Sequence, residues 1–183
     1  IAHDSLPSTW VLYTTYRFNW TELDNGLSLA LVGIMYAIVS AGLTGAMVKK
    51  LGERKAIIFG LVMGSMTFLV YGLATKGWML YAMIMLGSIG GIGGPAIQSL
   101  ITKMVSATEQ GAVQGVISSI QAVAAIIGPL MATNLFGYFT SSAAPAHLPG
   151  AAFIASSILV AIGALLAIRS ARVTTTLQPE SAT

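Results

Sequence analysis

Cysteine is absent from this sequence, which removes disulfides, thiolate metal sites and thiol nucleophiles from its chemistry. Charge is scarce as well: Asp, Glu, Lys and Arg together make up 8% of the residues, against about 25% in an ordinary soluble domain. A surface so poor in charge does not stay dispersed in water, so the solvent implied is lipid. Histidine occurs at positions 3 and 147, and His147 stands alone between Pro145 and Pro149. With no ligand cluster and no carboxylate pair at catalytic spacing, neither a metal, nor a cofactor, nor enzymatic activity is expected. The basic residues form no run interleaved with aromatics, so the net charge of +3 does not make a nucleic-acid face. A basic leader followed by a short apolar core and a small-residue cleavage site is also lacking. The chain opens on Ile1 in an apolar context and reads as a fragment of a longer protein.

Apolar residues make up 55% of the sequence, and glycine occurs 20 times. Glycine suits membrane helices, where close backbone approach takes over from hydrophobic collapse. Crossing the roughly 30 Å hydrocarbon layer takes about 20 apolar residues in a helix. Five stretches qualify: 26–48, 56–74, 78–102, 112–139 and 150–168. Before them, residues 1–16 read as the end of a further helix, leaving the lipid through Trp10, Tyr13 and Tyr16, aromatics of the kind that mark the interface. The expectation is an all-α membrane protein, with a transmembrane unit over residues 1–172 and a disordered polar tail over 173–183. Numbering the joints alternately places Lys49, Lys50, Arg54, Lys55, Lys103, Arg169 and Arg172 on one side and Arg17 and Lys76 on the other. By the positive-inside bias the first side, with the C-terminus, is cytoplasmic.

Polar groups deep in these stretches are the candidate functional residues, because an intramembrane ionisable group is costly unless paired, protonated or wet. If the first helix leaves the core near Tyr13, His3 and Asp4 lie about 14 Å deeper, near the midplane. A carboxyl there has its pKa raised by burial, so Asp4 is a candidate proton site. Gln121 lies roughly 14 Å in from the basic end, with Ser118 one turn before it, and Gln98 reads as a lining residue. Tyr36, Ser65, Thr67, Tyr71 and Ser88 read as packing residues. Glycines crowd the third stretch, with Gly87, Gly90, Gly91, Gly93 and Gly94 running up to Pro95. Close packing and a flexing gate both remain open there. Gly111 and Gly115 give the fourth stretch a small-xxx-small face, and Gly128 with Pro129 breaks it further on.

The joint from Gly45 to Lys55 is a tight basic turn, with Gly52 permitting the bend. Its spacing resembles the loop motif G-x-x-x-D-R-x-G-R-[RK] of the major facilitator superfamily, in the copy that joins the second and third helices of the C-terminal half. Gly45, Lys50, Gly52, Arg54 and Lys55 agree with it in type or position, while Lys49 replaces the Asp. The stretch from Leu6 to Trp20, then Gly26-Leu-Ser-Leu-Ala, is similar to the junction of helices seven and eight in the tetracycline-resistance branch of the drug:proton antiporters. Lys76-Gly-Trp78, Pro95-Ala-Ile-Gln98, Gln110-Gly-Ala-Val-Gln-Gly115 and Ile127-Gly-Pro-Leu130 are similar too.

The resemblance implies the C-terminal six-helix bundle of a twelve-helix transporter, with its first helix truncated, in a bacterial inner membrane. It implies drug export coupled to proton entry by rocking of two halves, with lipid, the missing N-terminal half, drug and protons as partners. The tetracycline exporters carry an Asp in the ninth helix where this sequence has Gly64. An exporter of another small solute and a non-transporting half are the alternatives, and the reading frame upstream of Ile1 separates the last from the others.

Overall fold

In hydrocarbon every backbone N–H and C=O must be paired inside the protein, which leaves the helix as the economical solution for an apolar chain. The computed structural model describes residues 1–106 and 108–176, with side chains through Ser170. Helix α1 (Ala2–Phe18) ends at Asn19, the non-glycine residue with a left-handed φ of 54°. Helix α2 (Glu22–Ile38) starts at a capping box in which the Thr21 hydroxyl and the Asp24 backbone and carboxylate exchange hydrogen bonds. A single wide π turn (Val39–Leu43) carries it into α3 (Thr44–Leu51). Gly52, at φ 78°, makes the bend anticipated from the basic joint, and α4 (Glu53–Leu73) returns through the layer.

The third apolar stretch is not one α-helix. Helix α5 (Gly77–Gly87) tightens into a 3₁₀ segment (Ser88–Ile92) before α6 (Gly93–Met104). Glycine costs a helix up to about 1 kcal/mol relative to Ala, and a run of them lets the backbone leave the α geometry. Helix α7 (Gln110–Thr140) runs unbroken through Gly128 and Pro129, where a break was expected, since proline removes a single backbone hydrogen bond, and α8 (Ala151–Thr176) follows. Among the described residues five spans are long and apolar enough to cross a membrane, each at least 20 residues. Helix α8 continues past Val173 to Thr176, into the stretch expected as tail; residues 177–183 lie outside the described residues.

Packing rests on glycine crossings. Helices α4 and α8 form the most extensive pair, and at their crossing a Cβ on Gly150 would lie 2.0 Å from the Gly72 carbonyl oxygen. Gly60 brings α4 against the 3₁₀ segment, where a Cβ would meet the Gly90 oxygen at 2.7 Å. Gly128 brings α7 against α1, with a Cβ 2.7 Å from the Ile1 oxygen. Of the glycines expected to pack, Gly90 and Gly128 do so. Gly45, Gly94, Gly111 and Gly115 have no described atom within 4 Å of a built Cβ, and Gly111 borders a cleft between α6 and α7.

One core sits at the end opposite the basic joints. Trp10, Tyr13, Tyr71 and Phe153 interlock edge-to-face, with Trp10 and Phe153 centroids 6.2 Å apart. Two of the polar tips are satisfied within the core: Trp10 Nε1 donates to the Ser28 hydroxyl at 3.0 Å, and the Tyr13 hydroxyl to the Tyr71 carbonyl at 2.6 Å. Ser5 and Ser156 hydroxyls, 2.8 Å apart, tie α1 to α8. A smaller core of Val39, Ala56, Ile57, Ile92 and Ala96 lies toward the basic end. There the π turn of the first span packs on the 3₁₀ segment of the third, so two irregular stretches meet at one level. Beyond it, Glu53 is ion-paired with Lys103 and accepts from Ser99, clamping the ends of α4 and α6.

Candidate functional site

Four elements converge on a cavity of about 260 Å³. Helix α1 contributes His3 and Leu6, α2 contributes Val32 and Tyr36, and α4 contributes Gly60, Gly64, Thr67, Phe68 and Tyr71. The α5–3₁₀ junction adds Ile84, Gly87, Ser88, Gly90 and Gly91. Glycine makes the space: five of the ten positions supplied by α4 and the junction are Gly60, Gly64, Gly87, Gly90 and Gly91. Gly87 lies directly against Thr67, whose hydroxyl is 2.3 Å from where a Cβ would stand.

The polar groups of the cavity differ in what they have left to give. Thr67 donates to the Met63 carbonyl at 2.8 Å and Ser88 to the Ile84 carbonyl, so both hydroxyl protons are held by their own helices. Neither the His3 ring nor the Tyr36 hydroxyl has a hydrogen bond to another described residue. The hydroxyl of Tyr71, another lining residue, has none either, so three groups are free to meet a solute. Aspartate and glutamate are absent from the lining residues, and Gly64 leaves room: a Cβ there makes an ordinary 3.7 Å contact with Val160. Among the described residues no group of His, Cys, Asp and Glu could hold a metal ion.

The residues singled out from the sequence fall in several places. His3 lines the cavity. Asp4, its neighbour in sequence, lies on the α7-facing side of α1, with its Cβ 3.0 Å from a Cβ built on Gly128. Gln98 is found nearer the basic end, in a separate polar cleft of about 330 Å³ between α6 and α7. Its amide donates to the Gln114 side-chain oxygen at 3.1 Å, and Thr102 and Gln110 share the cleft. Ser118 and Gln121 are exposed on α7 without a polar partner among the described residues. The five candidates are therefore not gathered in one site. Tyr36, Thr67 and Ser88 were legible as mid-span polar residues, but their convergence was not, since it depends on which faces α2, α4 and α5 present to one another. A further apolar groove of about 640 Å³ runs between α7 and α8 and is bordered by Leu61, Ile120, Val123 and Leu159.

Known proteins bear on this arrangement. The class G tetracycline resistance protein of Vibrio anguillarum is 39% identical over 127 residues, 69% of this chain and 32% of the relative. The class C protein of Escherichia coli is 35% identical over 73% of this chain and 34% of its own length. The class H protein of Pasteurella multocida is 30% identical over 93% of this chain and 42% of its own. The chain thus spans between 32% and 42% of the length of these curated relatives. No solved structure matches. The family profile of the Major Facilitator Superfamily matches residues 3–182, and with five apolar spans among the described residues this chain belongs to that family of membrane transporters.

Proposed function

We propose that the chain forms the C-terminal half of a drug exporter of the tetracycline-resistance type, working by antiport with protons in a bacterial inner membrane. The observation that carries this reading is the cavity at His3, Tyr36, Thr67 and Ser88, where polar groups from α1, α2, α4 and the α5–3₁₀ junction meet among apolar spans. Polar groups are kept in hydrocarbon at a cost of several kcal/mol unless they find a partner, and a passing solute is such a partner. About 260 Å³ falls short of the roughly 300–1,000 Å³ of drug-sized pockets, as one wall of a cavity shared with an N-terminal six-helix half would. The meeting of the π turn with the 3₁₀ segment supplies the flexible level about which α3 and α6 tilt as the two halves rock. His3 in the cavity and Asp4 beside it on α1 are the proton-carrying candidates, and the basic end with the C-terminus is cytoplasmic.

The test uses the full-length protein in inside-out vesicles from a pump-deficient bacterium. Tetracycline should accumulate when an inward-acid gradient is imposed and should leave when a protonophore collapses it. Accumulation indifferent to the gradient would remove proton coupling. A complete lack of movement, with the protein inserted, would favour a half that no longer transports. Asp4→Asn and His3→Gln then separate the two proton candidates: loss of gradient-driven uptake identifies the carrier.

A further inference from the structure

At the basic end of the bundle α4, α6 and α8 enclose a small pocket of about 230 Å³, and we infer that it seats one anionic phospholipid of the adjoining leaflet. The phosphate lies at Arg54, and the upper part of an acyl chain lies among the aliphatic side chains beside it. The inference needs the bundle to stand in a bilayer and is independent of which solute it carries.

The body of the pocket is aliphatic. Ile57 and Ile58 come from α4, Leu100 and Met104 from α6, and Ala167 from α8. Leu100 and Met104 stand one turn apart on α6, while Gln98 and Thr102 of the same helix border the polar cleft toward α7. The apolar face of α6 is therefore turned away from that cleft and toward α4 and α8. Further along α8, Leu165 and Leu166 are exposed, side chains suited to contact with hydrocarbon.

The rim of the pocket is cationic. Arg54 stands in the first turn of α4, and its guanidinium has no hydrogen-bond or ion-pair partner among the described residues. Arginine lays its stem along apolar walls and keeps its charged head at the water, where its fork of N–H donors fits the oxygens of a phosphate. Glu53, its neighbour in sequence, is engaged on the α6 side by Lys103 and Ser99, so its charge is already met. Lys55 follows Arg54, and Arg169 precedes the lining residue Ser170 on α8; no described acid pairs with either. A free anion gains nothing from the aliphatic walls, and a zwitterionic headgroup brings its own cation to the rim. A ligand that joins an uncompensated phosphate to hydrocarbon satisfies both parts, and basic pockets between helices at a membrane face bind such headgroups.

Native mass spectrometry tests the site on the purified full-length protein, titrated in detergent with palmitoyl-oleoyl phosphatidylglycerol and the matching phosphatidylcholine. The wild-type protein should bind phosphatidylglycerol at least ten-fold more tightly than phosphatidylcholine. Arg54→Gln should weaken phosphatidylglycerol about five-fold and leave phosphatidylcholine within about two-fold. Lys49→Gln, which removes an exposed cation outside the pocket, should change phosphatidylglycerol by less than two-fold. Ala167→Phe should narrow the aliphatic part and weaken both lipids. Equal losses in Lys49→Gln and Arg54→Gln would mean a diffuse basic surface and overturn the inference. A wild-type protein without the preference, its pocket covered by the rest of the full-length chain, would overturn it too. So would a dimer that Arg54→Gln dissociates, which would give the pocket to a second copy.

Discussion

The Gly72–Gly150 crossing makes a sharp demand on the sequence, and Gly150→Ala tests it. A Cβ on Gly150 would lie 2.0 Å from the Gly72 carbonyl oxygen and 2.7 Å from its Cα. These are backbone atoms, so no rotamer change relieves the overlap, and α4 and α8 must move apart by roughly an ångström to restore contact distance. That movement loosens the Ser65–Ser157 hydrogen bonds and lifts Phe153 from the aromatic core. Overpacking of a tight site costs about 1–3 kcal/mol, and the rigidity of the atoms involved places this case toward the upper end. Gly64→Ala in α4 is the control, because its Cβ makes an ordinary contact at 3.7 Å and the helix gains up to about 1 kcal/mol of propensity. The two variants should differ by at least about 2 kcal/mol in denaturant unfolding of the purified full-length protein. A Gly150→Ala protein as stable as Gly64→Ala would refute the claim that glycine-mediated backbone contact holds these helices together.

Three further predictions follow from the same structure. Trp10→Ala should destabilise the fold by about 3–5 kcal/mol, read by the same unfolding assay, since Trp10 is 2% exposed and joins Tyr71, Phe153 and the Ser28 hydroxyl. Tyr13→Phe should cost about 0.5–1.5 kcal/mol, because it removes one hydrogen bond to the Tyr71 carbonyl and keeps the ring; a cost above that of Trp10→Ala would contradict the packing account. The Ser106 hydroxyl and backbone N–H hold the Glu109 carboxyl below the ordinary carboxylate range. Its hold on the turn before α7 is therefore complete above the unfolded glutamate pKa and is lost as pH falls through the lowered folded value. Amide exchange of Gln110–Val113 should be faster in Glu109→Gln than in the wild type at neutral pH, and the ratio should approach one on acidification.

Much of the fold was legible because lipid imposes a simple rule on composition. The five apolar stretches, the basic joint with its turn at Gly52 and the loss of α geometry at Ser88–Ile92 within the glycine-rich run all follow from the residues along one segment at a time. Helix contacts do not. Gly60, Gly72 and Gly150 carry close backbone crossings, yet in sequence they look no different from Gly111 and Gly115, where a built Cβ meets no described atom within 4 Å. A glycine's use is set by what another helix brings opposite it, and that is a property of topology. The site divides the same way. His3 could be named from its depth, but Tyr36, Thr67 and Ser88 join it only because α2, α4 and α5 turn those faces inward. Gln98 found its partner in Gln114 and not in the cavity, since the 3₁₀ segment separates the two levels of the third span.

Solvent access at Ser88 tests the central claim most directly. The chain's lack of cysteine lets a Ser88→Cys variant report on its own, once any cysteines elsewhere in the full-length protein are replaced. A membrane-impermeant methanethiosulfonate reagent should label Ser88→Cys in vesicles, and tetracycline should slow that labelling, whereas Leu165→Cys on the uncovered face of α8 should stay inert. If Ser88→Cys proves as unreactive as Leu165→Cys, with and without the drug, the cavity is sealed packing and carries no solute.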